Sequence, residues 1–188
     1  MDVLACKIGM IGSDDLVEII HAELSKRTIP IVLDPIINSE TGINLSSETT
    51  YKKIINLLLP LVTIITPNTV EARTLTGCND LQLAAEKLQN YGTKNVLITG
   101  THDKTTEVIN RFYQKDSPTI CYKWERLPGT YHGSGCTLSS RIAANLANGN
   151  KMEKAVEDAQ NYTWQTLING MKLGKGQTLP NRFFKNNK

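Results

Sequence analysis

The chain has 188 residues, 21 Lys and Arg against 18 Asp and Glu, a formal net charge of +3, 40% hydrophobic and 21% charged residues. Such a length fits one domain with a sizeable core, and the composition is that of a globular protein rather than a disordered one. The charge is too small and its cations too scattered for a nucleic-acid binder, and the Gly-broken N-terminus lacks the basic and long apolar runs of a signal peptide or membrane span. The cytoplasm is therefore the expected location.

Residues 13–27 read as a helix, with Ser13 as N-cap, Asp14 and Asp15 in the first turn, and Leu16, Ile20 and Leu24 at helical spacing. "IPIVLDP" (29–35) is a β-branched run stopped by Pro35 and reads as the first strand. A helix over 46–60 closes at Pro60, and "LVTIITPN" (61–68) is a second strand. Over 79–92, Leu81, Ala84, Ala85, Leu88 and Tyr91 share one helical face, and Gly92 is a good stop. "KNVLITG" (94–100) is the third strand. "EVINRFYQ" and "TICYKWER" flank the turn "KDSP" as a hairpin, and two helices follow at about 136–148 and 151–169. The tail "RFFKNNK" is locally basic and reads as a frayed, solvated end. Alternating strands and helices without repeat or linker indicate one α/β domain over 1–188, a mostly parallel sheet flanked by helices with the hairpin at an edge.

Ligands of such sheets bind beyond the carboxyl ends of the strands. Asp34, Asn68 with Glu71, Thr99 with Gly100, and the glycine loop 133–135 all fall on that rim. In "YHGSGCTLSSRIAANLANG" (131–149), Gly133 and Gly135 allow close backbone approach, and the helix behind them offers free N–H groups to an anion. A plain turn remains the alternative. Cys136, at the lip, is a candidate base or nucleophile whose pKa a helix N-terminus would lower, or else a small buried hydrophobe like Cys6, Cys78 and Cys121. Asn68 and Glu71, three apart after Pro67, could hold Mg²⁺ through waters or could simply cap a helix. Asp34 serves a metal or only ends its strand. No cysteine or histidine spacing suggests a structural metal site.

Taken together, "KIGMIGS" (7–13), "IVLDPIINSETG" (31–42), "TPNTVEARTLTG" (66–77), "NVLITGTH" (95–102) and "HGSGCTLSSRIAANLANG" (132–149) resemble the ribokinase-like superfamily. The likeness is greatest to its hydroxymethylpyrimidine/phosphomethylpyrimidine kinase branch, from thiamine biosynthesis. It implies ATP-dependent phosphoryl transfer with Mg²⁺ to a small pyrimidine alcohol or its phosphate. Gly133, Ser134, Gly135 and Cys136 would form the anion hole, with Cys136 in the catalytic position. Asn68 and Glu71 would organise Mg²⁺ and phosphate, Asp34 would join Glu71 at the metal, Thr99 and Gly100 would meet the nucleotide, and Met10 would lie beside the pyrimidine. Thr99-Gly100-Thr101-His102 stands where many members carry Lys-Gly-Gly-His. The resemblance also implies that the family's N-terminal glycine-rich strand and substrate-binding glutamine precede this chain's match. The expectation is then weak nucleotide binding, poor turnover by the chain alone, and an open sheet edge that favours self-association, for instance as a homodimer. A pyridoxal kinase and a non-catalytic nucleotide-binding remnant are the competing readings.

Overall fold

A computed structural model describes residues 2–37 and 47–186. The part of "IVLDPIINSETG" after Ile37, and the first residue of the helix expected over 46–60, lie outside the described residues. Six strands form one sheet in chain order: β1 (Cys6–Ile8), β2 (Ile31–Leu33), β3 (Ile64–Ile65), β4 (Asn95–Ile98), β5 (Glu107–Gln114) and β6 (Ile120–Glu125). The first four run parallel, with Lys7 beside Val32, Val32 beside Ile64 and Ile64 beside Asn95. The hairpin β5–β6 then adds two antiparallel strands, as its turn residues require. Asp116, in the turn, takes a left-handed φ of 60°, a conformation that Asp tolerates better than most residues.

Period-two alternation divides the strands between two cores. Val32, Ile64, Leu97 and Phe112 point to one face and pack on α5 (Ser134–Ala147) and α6 (Met152–Ile168) through Leu138, Ile142, Val156 and Ala159. Leu33, Ile65, Val96 and Ile98 point to the other, against α1 (Asp14–Leu24), α2 (Glu48–Lys53), α3 (Thr69–Thr76) and α4 (Leu81–Asn90). Their side chains are almost wholly buried, each contributing about 1.5–3 kcal/mol relative to exposure. Both faces of the parallel strands are covered, which explains why they read as continuous apolar runs.

The expected elements are present, with four corrections. Cys6–Ile8 is a strand that the sequence reading did not include, being only three residues long and set before two glycines. The helix expected to end at Pro60 loosens after Lys53 into a π turn (Ile54–Leu58) and tightens into a 3₁₀ turn (Leu59–Leu61). Pro60 has no N–H to continue the ladder. This shortens the strand expected over 61–68 to two residues. Helix α5 begins at Ser134 rather than near Cys136. Finally, the tail is docked as far as Phe184. Asn181 is 5% exposed and donates its N–H to Thr166 O, the Tyr162 hydroxyl donates to Arg182 O at 2.9 Å, and the Tyr162 and Phe184 rings meet.

Candidate active site

The rim is assembled by short extensions of the strand ladder. Past β2, Asp34 N–H donates to Ile8 O, and past β3, Thr66 N–H donates to Leu33 O. An isolated parallel bridge joins Asn68 to Thr99, with Thr99 N–H donating to Pro67 O and Thr69 N–H to Thr99 O. The segments holding Asp34, Asn68 and Thr99 are thus set side by side by backbone bonds, independently of their side chains.

Asp34 is the hub. It is 5% exposed, its Oδ2 lies 3.2 Å from Lys7 Nζ, and the Ser139 hydroxyl donates to the same oxygen at 3.1 Å. A Cβ placed on Gly135 would sit 4.0 Å from Asp34 Oδ1. The strand-end carboxylate and the first turn of α5 therefore face each other across a gap that a larger residue than glycine would enter.

That turn has the form of an anion cradle. Gly133, with φ +88°, is the N-cap of α5, and no side chain caps the helix. Its left-handed backbone favours glycine. The Thr137 hydroxyl donates to Gly133 O at 2.8 Å and fixes the loop on the helix. The first-turn amides, from Ser134 to Cys136, have no carbonyl a turn behind them within the helix, and the helix dipole adds partial positive charge there.

Glu71 is both capped and strained electrostatically. Asn68 Oδ1 accepts from the N–H groups of Val70 and Glu71, each at 2.9 Å, while Glu71 Oε2 accepts from Asn68 N–H at 2.8 Å. The capping-box alternative is therefore present in full. Burial nevertheless pushes the Glu71 carboxyl up to about 7, aided by the charge of Asp34 and opposed by hydrogen bonds from the Asn68 and Ile37 backbone.

Cys136 corrects an expectation. Its thiol pKa is raised, not lowered. Burial is the largest cause, followed by the charge of Asp34, while Lys7 and Arg182 pull the other way. Burial outweighs the helix N-terminus, and the carboxylate of Asp34 adds to it. Of the other cysteines, Cys6 and Cys78 are half-buried and Cys121 is exposed rather than buried as expected; all four are free thiols.

Gly100 has a structural duty of its own. A Cβ there would run into Ile109 O, with Ile109 C at 3.0 Å and N at 3.1 Å, and its N–H donates to Asn110 Oδ1 at 3.0 Å. Half-buried Thr99 is the more available of the pair. Met10 is 58% exposed in the β1–α1 loop, apart from the hydrogen-bonded cluster.

Lys7, Thr137, Ser139 and Arg182 were not singled out from sequence. Lys7 lies within a quoted motif, Ser139 falls one helical turn after Cys136, and Arg182 had no signal beyond the basic tail. No group of three or more His, Cys, Asp or Glu side chains clusters as a metal cage among the described residues, and none of their helices is long and apolar enough to cross a membrane.

Comparison with known proteins bears on the family and the fold. The family model of phosphomethylpyrimidine kinase matches residues 1–181. The hydroxymethylpyrimidine/phosphomethylpyrimidine kinase of Aquifex aeolicus is 35% identical over 182 residues, covering 90% of this chain and 69% of the relative. That of Haemophilus influenzae is 31% identical over 190 residues, covering 93% and 68%. Among solved structures, phosphomethylpyrimidine kinase from Clostridium difficile superposes with a TM-score of 0.75 at 31% identity, over 87% of this chain and 69% of that one. An ADP complex of Bacillus subtilis pyridoxal kinase gives 0.86 at 25% identity, over 99% and 73%.

Proposed function

Because this chain belongs to the phosphomethylpyrimidine kinase family, we propose that it transfers the γ-phosphoryl group of ATP to hydroxymethylpyrimidine, to its monophosphate, or to both, as a step of thiamine biosynthesis. The observation that carries the reading is the meeting of Asp34, held by Lys7 and Ser139, with the glycine turn that opens α5.

Phosphoryl transfer is catalysed mainly by positioning and by stabilising charge on the moving group. The first-turn amides of α5, over residues 134–136, receive the γ-phosphoryl oxygens as their charge redistributes, which preorganised backbone donors do without reorganisation. The substrate oxygen bonds to the γ-phosphorus as the bond from that phosphorus to the ADP oxygen breaks. The hydroxyl proton passes to Cys136 Sγ, in its thiolate form, as the new bond to phosphorus forms. The raised thiol pKa makes that thiolate a stronger base once formed, and Lys7 and Arg182 are the charges that favour it. When the monophosphate is the acceptor, its ionised oxygen attacks and no proton need be removed.

Asp34 and Glu71 are suited to Mg²⁺. Both are oxygen donors, and a carboxyl pushed up to about 7 by burial, with the charge of Asp34 adding to it, is a group that a cation would favour in its charged form. Magnesium commonly keeps several waters and needs only one or two carboxylates besides phosphate. When bound, it would neutralise charge on the nucleotide phosphates. Asn68 holds Glu71 in place through the cap. Thr99 borders the nucleotide, Gly100 keeps β5 close behind it, and Met10 borders the pyrimidine ring.

The likeness to Bacillus subtilis pyridoxal kinase supports a second reading, in which pyridoxal is the alcohol phosphorylated. Release of ADP from MgATP, measured with hydroxymethylpyrimidine, its monophosphate and pyridoxal in parallel, separates these readings. A kcat/KM for either pyrimidine above that for pyridoxal is expected. The reverse order favours the second reading, and nucleotide binding without turnover of any of the three makes the chain a binding remnant.

A further inference from the structure

Arg182 lies over the glycine turn although it comes from the far end of the chain. Its Nε donates to Thr137 Oγ1 at 3.0 Å, and the Thr137 hydroxyl donates onward to Gly133 O. Its Nη2 is 3.3 Å from where a Cβ on Gly133 would be. The backbone is pinned separately, by the Tyr162 hydroxyl on Arg182 O and by Asn181, whose N–H donates to Thr166 O and whose Oδ1 accepts from Phe183 N–H. The side chain is exposed, and its Nη groups donate to no residue among those described. A tethered guanidinium with one nitrogen committed to the loop and two free has the geometry to take two oxygens of a phosphoryl group.

We propose that Arg182 is a catalytic residue, closing the cradle of residues 133–136 from the C-terminal segment and donating from its Nη groups to the oxygens of the phosphoryl group in transfer. This rests on the reading of that cradle as the phosphate site. Thr137 is the positioning residue, since its hydroxyl fixes the guanidinium relative to Gly133. The charge on those oxygens is redistributed only as the bond to ADP breaks, so the contact acts chiefly on kcat rather than on pyrimidine binding.

The test compares Arg182→Gln, Arg182→Lys and Thr137→Val with the unaltered chain by two readouts. In steady-state turnover, Arg182→Gln should lower kcat by about 100-fold, as loss of an oxyanion donor does, with the pyrimidine KM changed by less than about threefold. Arg182→Lys should recover part of that loss. Thr137→Val, which keeps the guanidinium but removes its tether, should lower kcat by about three- to tenfold. In the second readout, sulfate should slow alkylation of Cys136 by iodoacetamide at one fixed pH, followed by peptide mass spectrometry, and the protection should vanish in Arg182→Gln. Equal sulfate protection in both proteins, or a kcat of folded Arg182→Gln within about threefold of the unaltered chain, overturns the proposal. Should Arg182→Gln fail to fold, an unchanged kcat and unchanged protection in Arg182→Lys and Thr137→Val together overturn it. Absence of turnover in the unaltered chain counts against the proposed function, and sulfate protection then decides the role of Arg182 alone.

Discussion

Glu71→Gln keeps the shape of the side chain and leaves an oxygen to accept the Asn68 N–H, but it removes the ionisation. In the fold the Glu71 carboxyl titrates at about 7, against an ordinary 4.5. A carboxyl whose folded pKa is raised holds its proton more tightly in the native state. The stability it contributes is therefore complete below about pH 4.5 and is lost as the pH rises through about 7. That interval corresponds to about 3 kcal/mol. For a domain of this size, the midpoint moves by about 2–4 °C per kcal/mol, so roughly 6–12 °C is at stake. The assay is the difference in Tm between Glu71→Gln and the unaltered protein, taken from pH 4.5 to 8.5. Titrations common to both largely cancel in that difference. The variant should gain on the unaltered protein by roughly 6–12 °C across the range, with most of the gain made by about pH 7.5. Adding MgCl₂ with ADP at the alkaline end should narrow the gap, because a cation compensates the carboxylate in one protein only. A difference flat with pH would refute the reasoning, since Glu71 would then be an ordinary exposed-like carboxylate whose role ends at the helix cap. In turnover, the same variant should need more Mg²⁺ and should weaken nucleotide binding more than pyrimidine binding.

Three further outcomes follow from the packing. Gly135→Val should preserve Tm within about 2 °C, because the space at that Cβ is open apart from Asp34 Oδ1 at 4.0 Å, yet should lower turnover by about 100-fold or more by filling the cradle. Gly100→Ala should lower stability by about 1–3 kcal/mol in urea unfolding, since the obstacle is the Ile109 backbone rather than a flexible side chain. Asp34→Asn should leave Lys7 without its ion pair, at roughly 3 kcal/mol, and should lower the Cys136 thiol pKa by removing the charge that raises it; the pH profile of Cys136 alkylation should move to lower pH.

Much of this arrangement could be read from the chain, because its strongest signals are local. The strand 29–35 and the helix 79–92 announced themselves by β-branched runs, by one-faced leucines and alanines, and by Pro35 and Gly92. The convergence of Asp34, Glu71, Thr99 and the 133–136 loop followed from one topological rule about strand ends. What escaped was either too short or too distant. Three residues of β1 carry no periodicity, and the π turn before Pro60 follows from a lost N–H acting over two turns rather than at one residue. Cys136 departs from expectation because the helix N-terminus is local, whereas the burial that raises the thiol most and the charge of Asp34, 102 positions away in the chain, exist only in the fold. Arg182 was hidden for the same reason. Its partner Thr137 is 45 positions earlier, and nothing in "RFFKNNK" distinguishes a docked arginine from a solvated one.

The most direct test of the account is ³¹P NMR of the 188-residue chain incubated with MgATP and hydroxymethylpyrimidine. The account predicts that, at enzyme concentrations near that of the substrate, which allow for the poor turnover expected of the chain alone, the γ-phosphate resonance of ATP declines, matched by a new phosphomonoester resonance split by the methylene protons of the pyrimidine, with both changes absent in folded Gly135→Val. Consumption of ATP that yields only inorganic phosphate, or a phosphomonoester that still forms at the full rate in Gly135→Val, would contradict it.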